Sequence, residues 1–162
     1  MIIFDTDILS IFAKINRLEL IKKLFRTIHI TPMIREELTA PLEYGYDFPK
    51  DILNNSSVIV PTLEELGLYN KFKVRLGKGE AEAISIAISR KLLFATNDRV
   101  AQKVAKENGV GIISLQAILK ASVKRQFLTL NELNELINDI RSRDNLIISE
   151  AEIENIVKEN LK

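Results

Sequence analysis

The feature that most constrains the fold is an alternation of short apolar runs with stretches of helical periodicity. The apolar runs predict five strands, at residues 2–4, 27–31, 58–60, 92–96 and 111–114. Strands separated by helices indicate βαβ units, which build a mostly parallel sheet with helices on both faces. In such sheets, sites form beyond the carboxyl ends of the strands, where the strand order reverses. The sequence therefore predicts the α/β class and directs attention to the residues that follow each strand.

Helices are predicted in the intervals between the strands, with one exception. Residues 41–55 are rich in Pro, Gly, Asn and Asp, which predicts a loop. Pro32 is well placed to begin the helix before this loop, over about residues 33–39. Residues 128–162 carry two further helical patterns, which predict an appended helical hairpin without chemistry of its own.

Composition limits the kind of metal site that the chain can build. The chain has no cysteine and one histidine, His29, so it cannot assemble the several nitrogen or sulfur ligands that zinc usually takes. A catalytic metal must therefore be held mainly by carboxylates and water, which favours Mg²⁺ or Mn²⁺. The net charge of +1 neither demands nor forbids a nucleic-acid partner.

The chain carries no pattern typical of membrane insertion or secretion. No apolar run approaches the roughly 20 residues that are needed to span a bilayer. The start has an apolar stretch but no basic leader and no small-residue cleavage site. We therefore expect a cytoplasmic protein without a membrane partner.

Two acids, Asp5 and Asp98, each follow an apolar strand directly. This is the end of the strand at which the predicted architecture places functional groups. Each acid could equally be the N-cap of the helix that follows, a position that Asp occupies well. Two such acids, in a chain with two further acids in unusual positions, favour the functional interpretation.

Glu80 is the most informative of those further acids. At about 100° per residue, it lies at the middle of the apolar face of a helix over residues 80–90. A carboxylate on a core-facing stripe costs stability unless it is paired or bound to metal, although the helix dipole also favours an acid in the first turn. Glu82 lies on the opposite side, with Ser85 and Ser89, and is predicted to be exposed to solvent.

Glu37, like Glu80, lies beside apolar residues on a helix. That helix is short, so the indication of a functional carboxylate is weaker than for Glu80. If Asp5, Glu37, Glu80 and Asp98 converge, their repulsion raises the pKa of some of them and favours a divalent cation. A metal held in this way polarises a phosphodiester and stabilises the leaving oxygen. Residues that could orient the ligands or their waters are Thr6, Asp7, Thr96 and Asn97.

Four short segments resemble the signature of PIN-domain nucleases, a family that includes the VapC-type toxins. Residues 3–9 (IFDTDIL) resemble the family's first strand, and residues 36–38 (EEL) resemble its helix glutamate followed by leucine. Residues 79–84 (GEAEAI) are similar to the third-acid helix of a prokaryotic subgroup, and residues 96–98 (TND) to the strand end with the fourth acid. The third acid is glutamate in this chain, where many relatives have aspartate.

The resemblance implies a three-layer α/β/α sandwich and an endoribonuclease that cleaves single-stranded or structured RNA. It implies that Asp5, Glu37, Glu80 and Asp98 are catalytic and bind Mg²⁺ or Mn²⁺. It also implies that water attacks the phosphodiester and leaves 5′-phosphate and 3′-hydroxyl ends.

The resemblance also bears on domains and partners. We expect residues 1–124 to form the PIN-like nuclease domain, with residues 125–162 as a C-terminal helical extension packed on it. Toxin members of the family dimerise and are blocked by a small antitoxin. For this chain we therefore expect a homodimer and a toxin–antitoxin pair.

Cations and aromatic residues outside the acidic set offer candidate RNA contacts. Arg75 and Lys78 end a basic run that could guide a phosphate backbone, although such a run is more often a solvated helix face. Tyr44 and Tyr46 could stack on a base or could pin their loop to the domain.

Two other functions match parts of the pattern. Asp5-Thr6-Asp7 after an apolar strand mimics the nucleophile motif of HAD-like phosphohydrolases, which also require an activating lysine and a downstream acidic pair. That chemistry leaves the core-facing Glu80 unexplained. The second alternative is a non-catalytic RNA- or protein-binding module on the same fold, and the complete set of four acids argues against it.

Overall fold

Five parallel strands form the single sheet of the computed structural model, which describes residues 1–158. The strands are β1 (Ile2–Phe4), β2 (Ile28–Ile30), β3 (Ser56–Val58), β4 (Leu93–Ala95) and β5 (Ile112–Ile113). They lie in the order β3-β2-β1-β4-β5, and every neighbouring pair is parallel. Central β1 places Ile3 beside His29 on one side and beside Phe94 on the other.

Helices cover both faces of this sheet. Within residues 1–158 they are α1 (Thr6–Lys14), α2 (Leu18–Phe25), α3 (Pro32–Glu43), α4 (Phe48–Asn55), α5 (Leu63–Phe72), α6 (Lys78–Arg90), α7 (Arg99–Glu107), α8 (Leu115–Lys124), α9 (Leu130–Asp144) and α10 (Glu150–Lys158). The core between the layers includes the fully buried rings of Phe4, Phe12 and Phe94. The predicted α/β sandwich around a five-stranded parallel sheet is confirmed.

The order of the strands brings the ends of β1 and β4 together. The chain runs from β1 outward to β3 and then returns to the other side of β1 as β4, so the strand order reverses between β1 and β4. The backbone N–H of Asp5 donates to the carbonyl of Ala95 at 2.9 Å, which extends the pairing one residue beyond β1. Residues that follow these two strands therefore lie side by side, as expected at a topological switch point.

The segment predicted as a loop, residues 41–55, is mostly helical, so that prediction is wrong. Helix α3 continues past Pro41, which lies in its last turn, and α4 begins with Pro49 in its first turn. A proline in the first turn is well tolerated because the N–H group that it lacks would have no partner there. Buried Ile52 anchors α4 against α1, and the third strand begins at Ser56, two residues earlier than predicted.

The two predicted C-terminal helices are present as α9 and α10. Helix α9 packs against α1 and α8, and α10 packs against α8. Their buried residues Leu133, Ile140 and Ile156 belong to the same core as the sheet. The division at residue 124 stays a prediction. No helix between residues 1 and 158 combines the length and the apolar character that a membrane-crossing helix needs.

Candidate metal centre

An open cavity of about 660 Å³ lies beyond the carboxyl ends of β1 and β4. Six carboxylates line it, from Asp5, Asp7, Glu37, Glu80, Asp98 and Asp144. Of the described residues that line the cavity, Lys14 is the only one with a positive charge. The structure therefore brings the four predicted acids to one place and adds Asp7 and Asp144 to them.

Asp5 occupies the floor of the cavity at the end of β1, where it is 4% exposed. One carboxylate oxygen accepts a hydrogen bond from the backbone of Thr6 at 2.8 Å, and the other accepts from the hydroxyl of Thr96 at 2.7 Å. Burial and the charge of Asp7 raise the pKa of Asp5 well above its ordinary value, although the bond from Thr96 lowers it. A nearby cation would relieve this repulsion.

Asp7 connects the segments that follow the two central strands. Its carboxylate accepts from the backbone of Ile8 at 2.6 Å and from the backbone of Asn97 at 3.1 Å. Burial raises the pKa of Asp7, the two hydrogen bonds lower it, and the charges of Asp98 and Asp144 raise it further. Predicted only as a supporting residue, Asp7 lines the cavity together with the four acids.

Asp98 is both an N-cap and a lining residue of the cavity, the two roles between which the sequence alone could not decide. It is the N-cap of α7 and accepts from the backbone of Ala101 at 2.7 Å. Asp5 is likewise the N-cap of α1. The hydroxyl of Thr96 donates to Asp5 and accepts from the backbone of Asp98 at 3.1 Å, so it couples the two acids. The capping and functional interpretations are thus compatible at both positions.

Glu37 reaches the cavity from the exposed side of α3. It accepts from the hydroxyl of Thr6 at 2.7 Å and from the backbone of Gly79 at 3.0 Å. A Cβ atom added at Gly79 would lie 2.7 Å from one carboxylate oxygen of Glu37, too close for any side chain. A side chain at Gly79 would therefore displace the carboxylate of Glu37 from its present position against the first turn of α6.

Glu80 lies in the first turn of α6 and is partly buried at the cavity wall. Burial raises the pKa of Glu80, a hydrogen bond from the backbone of Gly77 lowers it, and the charges of Asp98 and Glu37 raise it. A Cβ atom at Gly77 would lie 2.5 Å from a carboxylate oxygen of Glu80. Gly77 and Gly79 thus make room for two of the carboxylates.

The prediction that Glu82 and Ser85 are exposed is wrong. Glu82 is 2% exposed and Ser85 is fully buried. Helix α6 is covered on nearly all sides, because it packs against α3, α5, α7 and the sheet. The carboxylate of Glu82 accepts from the backbone of Met33 at 2.8 Å, at the N-terminus of α3. An anion is favourable there, so Glu82 fixes α3, the helix that carries Glu37.

Sequence reasoning missed the contribution of Lys14 and Asp144. The ammonium of Lys14, at the end of α1, donates to the carboxylate of Asp144 at 2.5 Å. Asp144 is the last residue of α9, where a negative charge opposes the helix dipole. This unfavourable position is a signal in the sequence that Asp144 needs a partner. Through this pair the C-terminal part of the chain forms one wall of the cavity.

The two predicted RNA contacts, Arg75 and Lys78, are exposed, and neither lines the cavity. Lys78 is the first residue of α6, between Gly77 and Glu80, which do line it. Arg75 follows α5 in the connection to α6. Both cations are therefore near the cavity along the chain but outside its lining.

The donor set of the cavity suits a hard cation. Its carboxylates, with the Thr6 hydroxyl and Asn97, offer oxygen ligands of the kind that Mg²⁺ and Mn²⁺ prefer. In the present conformation, no three His, Asp or Glu side chains of residues 1–158 are grouped so that they could hold a metal ion. The carboxylates instead accept hydrogen bonds from the protein, as Glu37 does from Gly79. The carboxylate side chains would have to rotate away from these donors before several of them could bind the same ion.

Comparison with known families agrees with this fold. The model of the DUF3368 family, described as a PIN domain, matches residues 1–161. The comparison with curated proteins gave no match. PIN domains are typically metal-dependent nucleases, and the acidic cavity at the switch point of a parallel sheet has the chemistry that such an activity needs. The chain belongs to the PIN-domain family.

Proposed function

We propose that the chain is an endoribonuclease that uses Mg²⁺ or Mn²⁺ to cleave single-stranded or structured RNA. The observation that carries the proposal is the cavity with six carboxylates, in which Lys14 is the only lining cation among residues 1–158. So many acids in one partly buried place destabilise the fold unless a cation or a proton compensates them. The family supports nuclease chemistry, and the resemblance to VapC-type toxins supports RNA as the substrate.

We assign metal binding to Asp5, Glu37, Glu80 and Asp98, which come from four different segments of the chain. A bound Mg²⁺ or Mn²⁺ would polarise the phosphodiester and lower the pKa of a water molecule. The other residues proposed to hold the ligands or waters in place are Thr6, Asp7, Thr96 and Asn97. The bonds of Thr6 to Asp5 and Glu37 and of Thr96 to Asp5 and Asp98 support that role for the two threonines. The backbone of Asn97 donates to Asp7, which lines the cavity beside the ligands.

The proposal assigns Arg75 and Lys78 to contacts with the phosphate backbone outside the cavity. Their exposure leaves both cations accessible to a large polyanion. Such contacts orient a nucleic acid but carry no sequence information. RNA that reaches the carboxylates in this way would be cut to 5′-phosphate and 3′-hydroxyl ends.

The phosphohydrolase alternative requires Asp5 to attack a phosphate. Asp5 is 4% exposed, and both of its carboxylate oxygens accept hydrogen bonds, from Thr6 and Thr96. A carboxylate held in this way is a poor nucleophile. The match to the PIN family also favours a nuclease over a phosphohydrolase.

The resemblance extends the proposal to partners and to location. We propose a cytoplasmic protein that forms a homodimer and acts as the toxin of a toxin–antitoxin pair. The test for the pair is growth arrest on expression that a small protein encoded beside this gene relieves. Sedimentation of the purified chain tests the dimer.

The main test is cleavage of a mixed RNA pool in Mn²⁺, Mg²⁺ or EDTA. We expect metal-dependent cleavage that Asp5→Asn, Glu80→Gln and Glu37→Gln each reduce by at least about 100-fold, because each removes a charge from the metal ligands. Glu36→Gln is the matched control, because Glu36 is an exposed neighbour of Glu37 on the same helix. It should retain full activity.

The outcomes separate the competing functions. Cleavage that survives Asp5→Asn and Glu80→Gln would contradict the proposed site and point to a contaminating nuclease. No cleavage under any condition, together with tight RNA binding that does not respond to metal, would favour the non-catalytic binding module. An acyl-phosphate on Asp5 would revive the phosphohydrolase.

A further inference from the structure

A second open groove, of about 670 Å³, adjoins the acidic cavity. It is lined by Lys14, Pro41, Tyr46, Asp47, Phe48 and Arg143. Lys14 lines both the groove and the cavity, so the two adjoin at this side chain. A ligand that extends from the carboxylates past Lys14 would therefore enter the groove.

Aromatic rings provide one side of the groove. Tyr46 is 60% exposed, and its ring centroid lies 6.4 Å from that of Phe48, with an angle of 61° between the rings. The backbone of Tyr46 is fixed just after the turn at Gly45, which has a φ of +82°, and it donates to the carbonyl of Pro41 at 3.2 Å. An exposed ring on an anchored backbone is a suitable platform for a planar base.

Cations provide the other side of the groove. The ammonium of Lys14 lies 5.3 Å from the ring centroid of Phe48. Arg143 is exposed, donates to the carbonyl of Lys14 at 3.4 Å, and pairs with no carboxylate in the part of the chain that the structure describes. The acid in the lining, Asp47, pairs with Lys50 at 2.5 Å, which offsets its charge. The groove thus combines an aromatic platform with an available guanidinium.

We infer that this groove binds a nucleobase, stacked on Tyr46, and its phosphate, at Arg143, from a single-stranded RNA segment next to the bond that is cut. The inference rests on the proposed function and specifies its substrate. Stacking on a protein ring requires an unpaired base, because bases in a duplex already stack on each other. The position of the groove beside the acidic cavity and the positive charge of Arg143 favour RNA over a protein partner, because a polyanion held at the carboxylates by metal would pass Lys14 and meet this guanidinium.

The test measures the affinity of fluorescein-labelled single-stranded RNA octamers in EDTA, where metal-dependent cleavage is excluded. We expect Tyr46→Ala to weaken binding about tenfold, whereas Tyr46→Phe retains the ring and stays within twofold of wild type. Tyr44→Ala is the matched control, because Tyr44 is 80% exposed, lies two residues away and does not line the groove. An octamer without bases should bind wild type and Tyr46→Ala equally.

Two outcomes would overturn the inference. Tyr46→Ala binding RNA as tightly as Tyr44→Ala would show that the ring does not stack on a base and would leave the groove to a protein partner. An equal loss of affinity for duplex RNA of the same sequence would show that Tyr46 does not select unpaired bases. Thermal unfolding of each variant shows whether a change of affinity reflects a loss of fold.

The failure of this inference is distinguishable from the failure of the proposed function. If wild type cuts RNA with Mn²⁺ while Tyr46→Ala and Tyr44→Ala bind RNA equally, the nuclease function stands and the subsite is wrong. If wild type cuts no RNA while Tyr46→Ala loses affinity for single strands, the subsite stands and the nuclease function is wrong.

Discussion

Two buried carboxylates in different regions of the molecule have opposite surroundings. Glu65, in the first turn of α5, is 2% exposed and accepts two hydrogen bonds from Arg90 at the end of α6, at 2.7 and 2.8 Å. Asp5, at the end of β1, is 4% exposed and has the acids Asp7 and Glu80 as its charged neighbours. The bonds from Arg90 lower the pKa of Glu65, whereas burial and the nearby acids raise that of Asp5.

Glu65 stabilises the fold through the groups that surround it. The rest of the fold, in contrast, holds the carboxylate of Asp5 in surroundings that are unfavourable to its charge. Glu65 also forms a capping box with Thr62, so every donor around it favours its charged form. The surroundings of Asp5 disfavour its charged form, so ionisation of Asp5 costs stability unless a cation binds nearby. Proteins retain such unfavourable groups mainly where function requires them. The comparison therefore predicts that substitutions in the two regions change stability in opposite directions.

The largest effect on stability is expected for Glu65→Ala. The substitution removes the two Glu65 oxygens that accept from the Arg90 guanidinium, which keeps its bond to the carbonyl of Val60, and it removes the reciprocal bond of the capping box. Because Arg90 is partly exposed, we expect the free energy of unfolding to fall by about 2–3 kcal/mol rather than by the full value for a buried pair. Urea denaturation measures this change.

The matched control for that substitution is Glu64→Ala. Glu64 is exposed in the same first turn of α5, so its removal should change the free energy of unfolding by about 0.5 kcal/mol or less. An equal loss for the two variants would contradict a specific role for the Glu65–Arg90 pair. Both variants should keep metal-dependent cleavage.

The next largest effect is expected for Gly79→Ala, and it is a loss of metal affinity in the acidic cavity. The added methyl group would displace the carboxylate of Glu37, so we expect the affinity for Mn²⁺ to fall about tenfold, or about 1.4 kcal/mol. Titration calorimetry measures this affinity. In Gly67→Ala, the matched control, the new Cβ meets no atom within 4 Å, and the affinity should not change. Unchanged binding by Gly79→Ala would remove Glu37 from the metal ligands.

The smallest effect, and the one of opposite sign, is expected for Asp5→Asn. Without metal, at pH 7.5, the variant should be more stable than wild type by about 1 kcal/mol, a usual size for one stabilising substitution. Removing the charge ends the repulsion from Asp7 and Glu80. Thermal unfolding in EDTA measures the gain. A loss of stability across the whole pH range would show that the bonds from Thr6 and Thr96 outweigh the repulsion.

The pH dependence of that gain has a definite sign. Because the pKa of Asp5 is raised in the folded protein, its proton stabilises the fold at low pH, and this stabilisation is lost as the pH rises through the raised pKa. Asparagine cannot lose a proton there. The advantage of Asp5→Asn should therefore grow as the pH rises from the ordinary Asp value of 3.8 to the raised pKa of Asp5, and it should stay constant above that pKa.

Much of the fold could be predicted from local patterns. Short apolar runs indicated the five strands, and an acid directly after two of them indicated where β1 and β4 end. Periodicity failed for α6, because a helix packed on nearly all sides has no solvent face from which to infer the orientation of Glu82. The composition of residues 41–55 predicted a loop where α4 forms, because the burial of Ile52 that stabilises this helix is not visible in composition.

Less of the candidate site could be predicted, because part of it depends on packing between distant segments. The strand-end position of Asp5 and Asp98 is a local property of the sequence. The contact of Lys14 with Asp144 joins residues far apart in the chain, and no local pattern predicts it. The same holds for Gly79, whose role is set by the approach of Glu37 from another helix.

The central position of β1 has a consequence for biosynthesis. At roughly 5–20 residues per second, several seconds pass between the synthesis of Asp5 and that of Asp98. During this time β1 lacks its neighbour β4, and the wall that Asp144 provides comes later still. A growing chain thus has no complete set of the four proposed ligands until Asp98 has been synthesised and β4 has paired with β1. Under the proposed function, this order of assembly keeps the nascent enzyme inactive towards its own message during the synthesis of at least the first 98 residues.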